Sequence, residues 1–386
     1  MSALGPAPGA LAGVKVVDLS RVLGGPYATQ ILGDHGADVL KIEPPQGDET
    51  RAWGPPFEGG TSSYYRGVNR NKRGISLDLR EERGRQMLLA LLDDADILVE
   101  NFKPGTLEAW GIGYAALARR FPRLIHCCIS GFGADGPMGG MPGYDAAIQA
   151  MAGLMSVNGH ADGEPTRLGV PVVDMVSGLN AVIGVLLALQ ERARSGKGQY
   201  VDVALFDSAL SILHPHSANF LGSGDVPQRT GNAHPNISPY NMFETASGLM
   251  FLSVGNDGQF RKLCALLEAP HLCEDPRYAT NRDRSVHREA LRADLEKLFA
   301  DHDAVSLAER LVRAGVPCGP ALTVDQALAH PHTQHRNMVL RQGDYAGIAS
   351  PIKLSRTPSR LRRLPPGFGE HDGEVGKVAW AREDAR

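Results

Sequence analysis

Short apolar runs alternating with helical stretches constrain this chain more than any other feature. Val14–Leu19 (VKVVDL), Val39–Glu43 (VLKIE), Gly74–Leu79, Ile97–Glu100, Leu124–Ser130 and Gly198–Leu205 (GQYVDVAL) have the length and β-branched content of buried strands. Gly24, Gly25 and Pro26 open a helix after the first, and Glu81–Ala95 reads as another. Strands joined by helices run parallel and need both faces of their sheet covered, so the expected fold class is α/β. Gly222–Pro239 is rich in Gly, Pro, Asn and His and marks the expected boundary of a second unit. That unit should hold strands at Tyr240–Thr245 and Met250–Val254 and helices at Gln259–Leu267, Val286–Phe299 and Ala304–Ala314. The expected division is residues 1–221, residues 222–327, and a segment 328–386, extended or looped, that packs back on the first domain.

A chain of 386 residues is long enough for two or three domains. Its formal charge of −3 gives no basic footprint for nucleic acid, which directs attention to a small-molecule partner. Five cysteines, with Cys127 and Cys128 adjacent in an apolar run, form no spaced disulfide framework. The start, MSALGPAPGALAG, carries no targeting pattern, and no run reaches about 20 unbroken apolar residues. A soluble cytoplasmic protein without a membrane partner is the expectation.

Several signatures fail on context. Gly131, Gly133 and Gly136 match a dinucleotide fingerprint, but Pro137, further glycines and Pro142 follow where a helix should open. A flexible loop fits better. His330, His332 and His335 lie in a presumed loop without metal-ligand spacing, and neither a G-x-S-x-G elbow nor a Walker loop occurs. No metal and no tightly bound cofactor is expected.

One carboxylate stands out. Val170–Val173 reads as a short strand and Leu179–Leu189 as part of a long helix, which puts Asp174 at a strand-to-helix junction where helix amides gather positive potential. Asp is also a favoured N-cap, and that role alone would explain it. The cluster Asn71, Lys72, Arg73 reads either as a solvated turn or as a phosphate contact.

Taken together, VKVVDLSRVLGGPYATQILGDHGADVLKIEPP, NRNKRGISLDL, VENFKPGTLEAWGIGY, GYDAAIQAMAGLM and the Asp174 segment resemble the family III CoA-transferases, over the chain from about Gly13 onward. The resemblance implies a large doubly wound Rossmann-like domain, a smaller α+β domain and an interlocked homodimer. It implies an acyl-CoA and a carboxylic acid as substrates, with Asp174 as nucleophile forming an anhydride and then a CoA thioester. It also implies CoA contacts at Val22, Leu23, Asn71, Lys72, Arg73, Asn101 and Phe102. The oxalate enzymes carry Arg or Lys at the positions of Pro44, Ala109 and Pro142, and a glycine loop where this chain has His234, Pro235, Asn236, Ile237. TRAWGPPF, Tyr144 and GNAHPNISPY look more like the succinyl-CoA:glutarate branch, so a dicarboxylate such as succinate is the expected acid, with Tyr144 and His234 as substrate or loop candidates. Acyl-CoA racemases of the same fold carry His where Tyr144 stands; a racemase and a non-catalytic acyl-CoA binder are the alternatives. Backbone amides of the helix after Asp174 are the expected oxyanion donors.

Overall fold

The structure, a computed structural model, describes residues 8–374. Most of the starting stretch read as free of a targeting pattern, and the last twelve residues of the 328–386 segment, lie outside the described residues.

Six strands form the main sheet: β1 (Lys15–Asp18), β2 (Asp38–Glu43), β3 (Lys72–Ser76), β4 (Ile97–Glu100), β5 (Ile125–Ser130) and β6 (Tyr200–Ala204). They stand in the order β3-β2-β1-β4-β5-β6, and every pairing is parallel. The strand order therefore reverses between β1 and β4. Period-two alternation sends Val17, Leu40, Ile42, Ile75 and Leu98 to one face, where Leu88, Leu91 and Leu92 of α2 (Glu82–Leu92) close a core over them. The other face is covered by α1 (Gly24–Asp34) and α4 (Val172–Ser195), which pack on each other; α4 also lies against β5 and β6. Gly24 and Gly178 let these helices cross closely. A Cβ at Gly178 would meet the Gly24 carbonyl at 2.7 Å, and one at Gly24 the Asp174 carbonyl at 3.2 Å.

No strand precedes α4. Val170 is 62% exposed, Pro171 occupies the N-cap and Val172 already begins the helix. Periodicity misreads such a run because Val-Pro-Val-Val suits a strand as well as it suits a first turn entered through proline. After β6 the chain forms two helices, α5 (Leu205–Ser211) and His216–Ser223, broken before Pro215, which has no N–H to donate. Beyond Pro320 the chain is more regular than expected, with helices Val324–Ala329 and Pro331–His335 and a hairpin of Val339–Gln342 with Tyr345–Ile348. His332 and His335 stack in that short helix, and among the described residues no three or more His, Cys, Asp or Glu side chains gather as metal ligands would.

The described chain divides into two compact units: one within Met1–Ala152, Leu168–Ile212 and Pro331–Arg386, the other Gly153–Arg167 with Leu213–His330. The change therefore comes at Leu213 rather than residue 222, and Gly153–Arg167, a short helical turn and loop before α4, belongs to the second unit. That unit is built on an antiparallel sheet of Tyr240–Thr245, Gly248–Ser253 and Cys318–Pro320, with Phe243, Met250, Phe260, Leu291, Phe299 and Leu311 in its core.

One described helix, α4, is long and apolar enough to cross a membrane by length and composition. Counting unbroken apolar residues missed this, because Ser177, Asn180, Gly178 and Gly184 interrupt a helix that is apolar on average. Val173, Ala181, Val182, Val185 and Ala188 are buried on the face it turns into the first unit.

Candidate functional site

A cavity of about 240 Å³ opens within the first unit at the carboxyl ends of β1, β4, β5 and β6. In an open parallel sheet the crevice beyond the strand ends, where strand order reverses, is the place for a ligand. Val22, Leu23, Asn101, Phe102, Tyr144 and Asp174 all line it, together with Arg21, Glu49 and Lys103. Arg21, Phe102 and Lys103 also line a second cavity of about 310 Å³, walled by Leu77, Arg80 and Trp110, so the two cavities adjoin at these three residues.

The segment after β1 is held in an unusual shape. Val22 has φ 69°, the left-handed region, which a β-branched residue enters only under constraint. Asn101 supplies one: its Oδ1 accepts from the Arg21 amide at 2.8 Å and its Nδ2 donates to the Arg21 carbonyl at 2.7 Å. A side chain at the end of β4 thus shapes the loop at the end of β1, and both meet in the cavity.

Asp174 sits in the first turn of α4 but caps nothing; the helix has no side-chain cap of its own. Its amides are served from another helix. Asp145, in the first turn of α3 (Asp145–Met151), accepts from the amides of Val173 at 2.8 Å and Asp174 at 3.1 Å through Oδ2, and from Gln149 Nε2 at 2.6 Å through Oδ1. The Val172 and Met175 amides donate to the carbonyls of Val170 and Pro171. The first-turn donors read as an oxyanion site are therefore occupied. Burial, and then the nearby Asp145 carboxylate, push the Asp174 carboxyl from 3.8 to about 7. Tyr64 is pushed up to about 12 by burial and by the carboxylates of Asp174, Asp145 and Asp48, which sets its phenol in the same field.

Asn71, Lys72 and Arg73 are not brought to this cavity. They are 3%, 0% and 4% exposed, which also removes the solvated-turn reading. Lys72 Nζ lies 3.0 Å from Asp18 and donates to Asn69 and to the Pro26 carbonyl. Asn71 bonds Asp34 and the backbone of Arg360, Arg362 and Arg363, while Arg73 pairs with Asp38 and Glu374. Asn71 and Arg73 thus fasten the returning C-terminal segment along the edge strand β3. His234 belongs to the second unit, its ring against Tyr240 and its Nδ1 accepting from the Asn236 amide. Burial holds its imidazole below the usual range.

The residues that sequence reasoning passed over are Arg21, Lys103, Tyr64 and Asp145. Arg21 and Lys103 adjoin positions it chose. Asp145 lay inside a quoted string, but nothing local reveals that it serves a helix 28 residues away.

Fold and cavities define an α/β protein with two adjoining cavities at the sheet's switch point, one of them lined by a carboxylate of raised pKa. Residues 11–372 match CoA-transferase family III, and the chain belongs to that family. It is 41% identical to the succinate–glutarate CoA-transferase of Agrobacterium fabrum, over 95% of this chain and 94% of that one. It is also 41% identical to the acetyl-CoA:oxalate CoA-transferase of Acetobacter aceti, covering 89% and 88%. The crystal structure of a CAIB/BAIF family protein from Brucella suis superposes with a TM-score of 0.86 at 42% identity, covering 96% of this chain and 99% of that one. The protein is a CoA-transferase with CoA thioesters as substrates.

Proposed function

We propose that the protein transfers CoA from a short dicarboxylyl-CoA, succinyl-CoA foremost, to a dicarboxylic acid, through covalent intermediates on Asp174. The observation that carries this reading is a carboxylate of raised pKa lining one of two cavities that adjoin at Phe102. The nucleotide of CoA fits the cavity walled by Trp110 and Arg80, its phosphates pass Arg21 and Lys103, and the pantetheine arm leads to Asp174.

The ionised Asp174 carboxylate attacks the thioester carbonyl, forming an aspartyl anhydride and expelling CoA thiolate. The thiolate attacks the aspartyl carbonyl, leaving an enzyme thioester and the free donor acid. The acceptor carboxylate then attacks the aspartyl thioester, and the released thiolate takes the new acyl group and restores Asp174. With the first turn of α4 occupied, the oxyanion falls to α1, which starts at cavity-lining Gly24 without a capping side chain. Burial that raises the Asp174 pKa also makes its anion more basic and keeps water from the anhydride.

A panel of acyl-CoA donors against acids tests this. Succinate and glutarate should exceed acetate and oxalate as acceptors. A preference for a monocarboxylate would overturn the dicarboxylate assignment; a preference for oxalate would overturn the succinyl–glutarate branch.

A further inference from the structure

Behind the turn that carries Asn101 and Phe102 lies a buried polar cluster that the transfer chemistry does not use. Glu100 ends β4 and is 5% exposed. Its Oε2 accepts from the Phe102 amide at 2.8 Å, and its Oε1 lies 3.4 Å from Nε2 of His126. His126, 2% exposed, has no hydrogen-bond partner within ordinary range at either ring nitrogen among the described residues, and its ring packs against Tyr114 and Tyr200, which also touch each other. Cys128, buried and with its thiol pushed up chiefly by burial, closes the same pocket beside Glu100 and Tyr200.

A buried carboxylate is retained at some energetic disadvantage unless its acceptors are used. Here one oxygen fixes the Phe102 amide in the turn after β4, and the other faces an imidazole packed against two tyrosine rings. Phe102, so fixed, lines both cavities, with Trp110 edge-on at 5.6 Å and the Arg21 guanidinium 5.9 Å from its centroid. Asn101 beside it clamps Arg21 on both backbone groups. Glu100 lines neither cavity, so any influence on the ligand passes through this turn.

We propose that Glu100 is a positioning residue for CoA: with His126 behind it, it sets Phe102 and Asn101 in the register that shapes the junction of the two cavities. The inference rests on the CoA assignment of those cavities and adds a residue that touches no substrate. Geometry, rather than charge, is the requirement. A glutamine can accept from the Phe102 amide and keep its other terminus against the His126 ring, whereas an aspartate keeps the charge but is one methylene too short to do both.

The test measures Kd for free CoA by titration calorimetry and KM and kcat for transfer, on parent, Glu100→Gln, Glu100→Asp and Glu100→Ala. Glu100→Gln should bind CoA like the parent. Glu100→Asp should lose about five-fold and Glu100→Ala about ten-fold or more in Kd, the scale of one lost fixed hydrogen bond. KM should follow Kd while kcat stays within about two-fold. Should Glu100→Ala not fold, the Gln and Asp pair carries the comparison alone. Loss in Glu100→Gln with retention in Glu100→Asp would make charge the requirement and overturn the proposal, as would equal CoA affinity in every variant or a fall in kcat with unchanged KM. A parent protein that binds no CoA would overturn the assignment of the cavities themselves.

Discussion

At the scale of single residues, Asp174 carries two opposed demands. To attack a thioester it must be ionised, yet burial and Asp145 hold its pKa near 7. The rate under kcat/KM conditions should therefore rise with pH and level off about one unit above that value. Replacing Asp145 by Asn removes the like charge, so the acid limb should move to lower pH; an unmoved limb would separate the two carboxylates. For stability the sign is opposite. The folded state holds the Asp174 proton more tightly than the unfolded chain, whose carboxyl titrates at 3.8. Stability from this group is thus fully present below that pH and is lost as pH rises through about 7. Fresh Asp174→Asn protein should then be more stable than the parent at pH 8 by on the order of 1–3 kcal/mol, after discounting for solvent at a half-buried group. Denaturant unfolding at pH 8 and below pH 4 checks both size and window; a destabilised Asn variant would contradict the electrostatic account.

At the scale of elements, the strands and the first-unit helices were largely legible because alternation and turn chemistry are local. Asp174, Val22, Leu23, Asn101, Phe102 and Tyr144 were legible through resemblance, and the fold does gather them in one cavity. What failed was partnership at a distance. Nothing near residue 72 reveals that Lys72 will be enclosed against Asp18, 54 residues away, so a basic run looked like a phosphate contact. Val170–Val173 failed because its first-turn geometry is imposed by Asp145 on another helix. The enclosure of Lys72 has a measurable consequence. Lys72→Met leaves Asp18 buried without its nearest cation and should lower stability by about 3 kcal/mol or more. CoA affinity of the folded protein should hold; a selective loss of CoA binding with stability intact would restore the phosphate reading.

For the whole molecule, α4 buries one face in the first unit and exposes Leu179, Ile183, Leu186 and Leu187, an apolar stripe at helical spacing, with Leu210 of α5 also exposed. We propose that a second copy of the chain covers such surface in a homodimer, the assembly expected from the family resemblance. Light scattering on dilute protein should give twice the chain mass, and Leu187→Glu should shift the equilibrium toward monomer and unfolding. A stable, active monomer would remove the proposal without touching the chemistry.

That chemistry is tested most directly by intact mass spectrometry of the protein mixed with succinyl-CoA alone, followed by hydroxylamine or borohydride trapping and peptide mapping. The account predicts an acyl or CoA adduct on the parent protein, trapped on the peptide that contains Asp174 and absent from a folded, inactive Asp174→Ala variant. Transfer by Asp174→Ala at the parental rate, or trapping at any other residue, would contradict it.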